Sequence, residues 1–133
     1  MTKAKNRNWF DKHLNDMYVI KSKTDGYRSR ASYKLLEILQ GKNLIQRNDV
    51  VVDLGSAPGG WSQVARKFVG SKGRVLALDI LDMSSIPGVD FICGDFNDEE
   101  VYRKLACQVE NEKVNVVISD IAPNISGIAA IDL

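Results

Sequence analysis

Two periodicities alternate along the chain of 133 residues. Residues 50–54, Val-Val-Val-Asp-Leu, form a β-branched apolar run that reads as a strand buried on both faces, as in a parallel sheet. Similar short runs at residues 74–79, 89–93 and 114–119 predict three more strands. Between them the apolar positions recur at helical spacing. Trp9, Phe10, Leu14, Met17 and Tyr18 predict a helix over residues 9–19. Leu35, Ile38 and Leu39, with Ala31 a turn earlier, give the core stripe of a helix over residues 30–40. Ser29 is its expected cap and Gly41 its stop. Residues 61–68 form another helix. A further one runs to about residue 109, with Asn97 or Asp98 as cap and Glu99 and Glu100 matching its N-terminal dipole. The second and third strands join through a loop carrying Pro87-Gly88; otherwise strands and helices alternate.

The link after the first strand organises the rest. Gly55, Pro58, Gly59 and Gly60 fall within six residues and precede a helix. Glycine alone lets a ligand approach the backbone closely, and a strand, a glycine-rich turn and a helix N-terminus form a nucleotide cradle. Four strands end in or near a carboxylate: Asp53, Asp79, Asp95 and Asp120. In an open parallel sheet these ends share one rim, where ligands bind. Asp79 follows Asp53 by 26 residues, near the roughly 20-residue offset of a ribose-binding acid.

Charge adds a partner. Residues 1–47 carry 11 Lys+Arg and 4 Asp+Glu, and residues 48–133 carry 7 and 13, so +7 and −6 sum to the net +1. A basic arm on an acidic body suits a polyanion. Taken alone, such a run is more simply a solvated face. No apolar run approaches the roughly 20 residues of a membrane span, and none follows the basic N-terminus as in a secretory signal. Cys93 and Cys107 fit no metal or redox spacing; buried free thiols in the cytoplasm are expected, and no metal site. The single histidine, His13, reads as a surface residue.

The acids select the ligand. Carboxylates bond ribose hydroxyls, an exocyclic amine or an ammonium, and repel pyrophosphate. The turn is not G-x-G-x-x-G, because Ala57 stands two after Gly55, and no Gly-Lys-Ser/Thr follows as in a P-loop. This disfavours a nicotinamide-dependent dehydrogenase. S-adenosylmethionine, an adenosine with a charged amino-acid tail and no phosphate, fits: ribose on Asp79, adenine amine on Asp95, methionine portion on the glycine turn, sulfonium beside Asp120.

Four stretches carry a resemblance to a known family. They are Arg28-Ser-Arg-Ala-Ser-Tyr-Lys-Leu, Val52-Asp-Leu-Gly-Ser-Ala-Pro-Gly-Gly-Trp-Ser-Gln, Gly88-Val-Asp-Phe-Ile-Cys-Gly-Asp-Phe and Ser119-Asp-Ile-Ala-Pro-Asn-Ile-Ser-Gly. From about Trp9 to Leu133 the chain resembles the FtsJ/RrmJ family of S-adenosylmethionine-dependent 2′-O-ribose methyltransferases. The resemblance implies an α/β, Rossmann-like methyltransferase fold with a parallel sheet incomplete at the C-terminus. It implies a basic arm and RNA-facing helices over 1–47 and a cofactor-binding part over 48–133. Cofactor contacts are implied at Gly59, Trp61, Asp79, Asp95 and Asp120. Lys34 and Asp120 match the family's catalytic Lys-Asp-Lys-Glu set. Its second lysine, the general base, and its glutamate lie further along in the family, so this chain alone is expected to show little turnover. Without the resemblance, Lys34 reads as an exposed helix lysine, and Trp61 as core. The implied substrate is a uridine of 23S ribosomal RNA in the large subunit; the basic residues Arg28, Arg30 and Lys34 are expected to meet its phosphates, and the protein is expected to be a monomer. The alternative is a non-catalytic RNA- or cofactor-binding fragment.

Overall fold

The computed structural model describes residues 25–120 and 128–130. The helix expected over residues 9–19 and the basic arm before it lie outside these residues. The elements in order are α1 (Ala31–Leu39), β1 (Val50–Leu54), α2 (Gly60–Val69), β2 (Arg74–Asp79), β3 (Val89–Cys93), α3 (Glu99–Gln108), β4 (Val116–Ser119) and β5 (Ile128–Ala130). They build a five-stranded sheet in the order β3-β2-β1-β4-β5. The first four strands are parallel. β5 pairs antiparallel with β4, with Ile118 opposite Ile128. The sequence ended the sheet at the fourth strand and left its edge open; β5 covers that edge instead.

The valine run explains the layering. Val51 joins Leu35, Leu39, Trp61, Val64, Val69, Val75 and Ile118 on the face covered by α1 and α2. Val50 and Val52 point the other way, onto Leu76, Leu105 and Val114 beneath α3. Alternation along one strand therefore feeds two cores, and every residue of β1 up to Asp53 is buried. α1 shares the first core with α2, so it is built into the fold beside the site.

Several expectations need correction. Ser29 does not cap α1; the cap position is Arg30, with no side-chain hydrogen bond. The Ser29 and Ser32 hydroxyls are buried where a Cβ on Gly60 would come within 2.6 Å of each, so glycine lets α1 approach the start of α2. The α1 stripe is consequently Ser32, Tyr33, Leu35 and Leu39, with Ile38 only partly covered. β4 starts two residues late, because the Asn115 side chain accepts from Val50 N at 2.8 Å and ends the ladder there. Cys93 and Cys107 are both exposed. β3 is an edge strand, and α3 buries only Val101 and Leu105, so neither position reaches a core. The cap of α3 is Asp98, which accepts from Glu100 N.

Leu35 is fully buried and Leu44 is 40% exposed. Leu35→Ala should lower stability by about 2–5 kcal/mol in urea unfolding, whereas Leu44→Ala should stay within about 0.5 kcal/mol.

Candidate active site

The chain builds outward from β1 to β2 and β3, then returns to the other side of β1 for β4. The crevice of an open sheet opens at such a reversal, outside the carboxyl ends of the strands. Here that point lies between Leu54 and Ser119, which stand opposite each other.

The glycine turn is held there by backbone bonds. Gly55 N and Ser56 N both donate to Leu78 O, at 2.8 and 3.1 Å. Ala57 N donates to Asp79 Oδ2 at 2.8 Å, and Leu81 N donates to Asp79 Oδ1 at 2.9 Å. Gly59 is the cap of α2 at φ +118°, in the left-handed region that side chains avoid. A Cβ there would also fall 2.6 Å from Ile86 Cδ1.

Of the cavities along this turn, two share Gly55. The larger, about 480 Å³, is lined by Asp79, Asp95, Ile80, Phe96 and Asn97 among others. The smaller, about 210 Å³, is lined by Asp53, Gly55, Ala57, Gly60, Trp61 and Asp120 among others. The four rim acids thus divide two and two around one turn. They are not equivalent. Asp95 is exposed and accepts from Asn97 N at 2.9 Å. Asp53 is 1% exposed and bonded by Ser62 Oγ at 2.7 Å, beneath the turn. Burial pushes its carboxyl up to about 7; the Ser62 bond offsets part of this, and the Asp120 and Asp79 charges add to it.

Lys34 and Asp120, 86 residues apart, meet across the mouth with Nζ 3.1 Å from Oδ1. Their side chains are 45% and 33% exposed. Such a pair contributes roughly 0–1 kcal/mol, so stability does not explain its placement. Trp61 is buried in the core, and its Nε1 donates to Ala31 O at 2.8 Å, while part of it reaches the smaller cavity. Gly59 packs toward Ile86, outside the lining of both cavities. Arg30 is exposed. Arg28 is turned inward, its guanidinium on the carbonyls of Pro58, Ser84 and Ser85. Among the described residues no cluster of His, Cys, Asp and Glu could hold a metal ion. No described helix is long and apolar enough to cross a membrane.

Comparison with known proteins decides the family. The model of the FtsJ-like methyltransferase family matches residues 27–133. The chain belongs to the FtsJ-like methyltransferases. Its similarity to curated members is high: 57% identity over 131 residues with the ribosomal RNA large subunit methyltransferase E of Marinobacter nauticus, covering 98% of this chain and 63% of that one. The corresponding enzyme of Chromobacterium violaceum is 55% identical over 125 residues, covering 94% and 61%. The chain thus spans about three-fifths of the length of these relatives. A crystal structure described as a ribosomal RNA methyltransferase of Plasmodium falciparum superposes with a TM-score of 0.63 at 31% identity, covering 72% of this chain and 57% of that one.

An FtsJ-like domain uses S-adenosylmethionine, and the site fits that molecule chemically. The larger cavity pairs two carboxylates with the apolar side chains of Ile80 and Phe96, a setting for a ribose and a flat base. Ile80 and Phe96 escaped the sequence reading. They are exposed, at 67% and 39%, and the available signal was a large apolar residue directly after each rim acid.

The raised carboxyl of Asp53 has a direct consequence. An acid whose pKa is raised on folding binds more protons folded than unfolded, so stability falls between about pH 4 and 7 and then levels. Asp53→Asn keeps an acceptor for Ser62 and removes the buried charge. Urea midpoints should show it more stable than the parent at pH 8, by on the order of a few kcal/mol, with the difference closing toward pH 4.

Proposed function

We propose that this FtsJ-like chain binds S-adenosylmethionine across the two cavities and serves methyl transfer to the 2′-oxygen of a uridine ribose in 23S ribosomal RNA. The observation that carries the reading is the Lys34–Asp120 pair, closed at 3.1 Å beside the glycine turn. The names of the relatives support a ribosomal RNA substrate.

The cofactor supplies a methyl group made electrophilic by a sulfonium. Asp79 accepts hydrogen bonds from the ribose hydroxyls, its orientation preset by Ala57 N and Leu81 N. Asp95 accepts from the adenine amine, with Ile80 and Phe96 against the base. The open backbone of residues 55–60 receives the methionine portion, with Trp61 as its wall. Asp120 places a negative charge beside the sulfonium, where it favours the cation.

A ribose 2′-hydroxyl is a weak nucleophile and must lose its proton as it attacks; assistance of this kind contributes about 10²- to 10⁴-fold. Lys34 donates to the 2′-oxygen and holds it in place, itself held by Asp120. Holding a reactant in line lowers the barrier by several kcal/mol, about 7 in favourable cases. Proton removal falls to the second lysine of the family's set, further along than Leu133. Arg30 and Lys34 meet phosphates near the mouth, which gives affinity and register without sequence information. The protein works as a monomer in the cytoplasm.

Titration calorimetry tests the cofactor. S-adenosylmethionine should bind, NAD should not, and Asp79→Ala should weaken S-adenosylmethionine about tenfold or more; binding of NAD alone would overturn the reading. Turnover is tested with labelled S-adenosylmethionine and large ribosomal subunits. Label should enter 2′-O-methyluridine with a form extended through the family's second lysine and scarcely at all with the 133-residue chain. Label in a methylated base, or robust turnover by this chain, would contradict it.

A further inference from the structure

Arg28 joins three parts of the site. Its backbone N donates to Gln63 Oε1 of α2 at 2.8 Å, and Gln63 Nε2 donates back to Gly26 O at 3.1 Å. Its Nη1 donates to Pro58 O of the glycine turn at 3.2 Å and to Ser84 O. Its Nη2 donates to Ser85 O at 2.6 Å. Ser84 and Ser85 belong to the loop between β2 and β3. The planar fork of a guanidinium suits several carbonyls on two strands of chain, which a single ammonium cannot span equally well.

The same two segments are tied a second time. Asp79 gathers the N–H groups of Ala57 and Leu81, one from the glycine turn and one from the start of the β2–β3 loop. A carboxylate thus binds two N–H groups at the base, and a guanidinium binds three carbonyls further out. Between them Ser56 Oγ donates to Met83 Sδ at 3.7 Å, and Ile86 packs where a Cβ on Gly59 would sit. Both bonds to Asp79 depend on the turn and the loop staying together. At the start of the loop Ile80 and Leu81 are 67% and 68% exposed, whereas Ile86 near its end is buried.

We infer that Arg28 is a positioning residue of the cofactor site, clasping the glycine turn to the β2–β3 loop and thereby aiming the Asp79 carboxylate, and is not a ligand of RNA phosphate. The inference rests on the assignment of Asp79 to the cofactor ribose. Its donors are directed at protein carbonyls, so Arg28 acts inward while Arg30, at the cap position of α1, is exposed.

Amide hydrogen exchange on Arg28→Gln tests the clasp without any ligand. Exchange at Ala57 and Leu81 should rise at least tenfold, while Val52 and Ala77 in the central strands stay unchanged. Arg28→Lys should fall between. In parallel, the affinity for S-adenosylmethionine should fall about tenfold, and the salt dependence of binding to 23S ribosomal RNA should keep its slope, whereas Arg30→Gln should lower that slope by about one. Unchanged exchange at Ala57 and Leu81, an equal rise at Val52 and Ala77, or a lower salt slope in Arg28→Gln would overturn the inference. A rise confined to Ala57 and Leu81 in a protein whose parent fails to bind S-adenosylmethionine would sustain the clasp and remove the cofactor assignment instead.

Discussion

Strand β1 has water on neither face, and most of the architecture follows from that. Its valines must be covered twice, by α1 and α2 on one side and α3 on the other. Its backbone must be paired on both edges, by β2 and β4. Covering both faces through parallel connections brings the carboxyl ends of four strands to one rim. The same burial leaves Asp53 out of water at the end of the strand, with Ser62 as its hydrogen-bond partner. Asp53 thus lies beneath the glycine turn, while Asp95 and Asp120 stay exposed at the rim.

Charge is ordered around the turn by depth. Asp53 lies under it, Asp79 ties its backbone to the next loop, and Asp95 and Asp120 face outward on either side. The cations come from before β1. Lys34 crosses to Asp120, and Arg28 reaches the Pro58 carbonyl of the turn. The segment read as an RNA-facing arm therefore also borders the crevice. This is why α1 is packed into the first core and Gly60 is bare: a side chain there would push α1, and Lys34 with it, away from the mouth.

Much of this was legible in the residues because it rests on local rules. The valine run, the glycines and the acids after each strand mark strand ends and turn chemistry directly. Strand boundaries for β1, β2 and β3 followed from them. The pairing of Lys34 with Asp120 came from the family resemblance; spacing alone could not join residues 86 apart. What failed depended on tertiary neighbours. The cysteines read as buried because their type usually is, yet one sits on an edge strand and the other on the outer side of a helix with only two buried residues. Ser29 has the chemistry of a cap, but the approach of α2 takes it inward. The bonds of Arg28 to the carbonyls of Pro58, Ser84 and Ser85 were likewise invisible, because only its charge shows in the sequence. β5 carries three residues, too few for a period to register.

The central claim is that one crevice, at the carboxyl ends of β1, β2, β3 and β4, holds the cofactor. Mapping amide chemical shifts during titration with S-adenosylmethionine tests it most directly. The account predicts that the perturbed amides are those of Gly55, Ala57, Ile80, Asp95, Phe96 and Asp120. Perturbations gathered instead along the groove of Phe91, Cys93, Arg103 and Cys107 between β3 and α3 would contradict it.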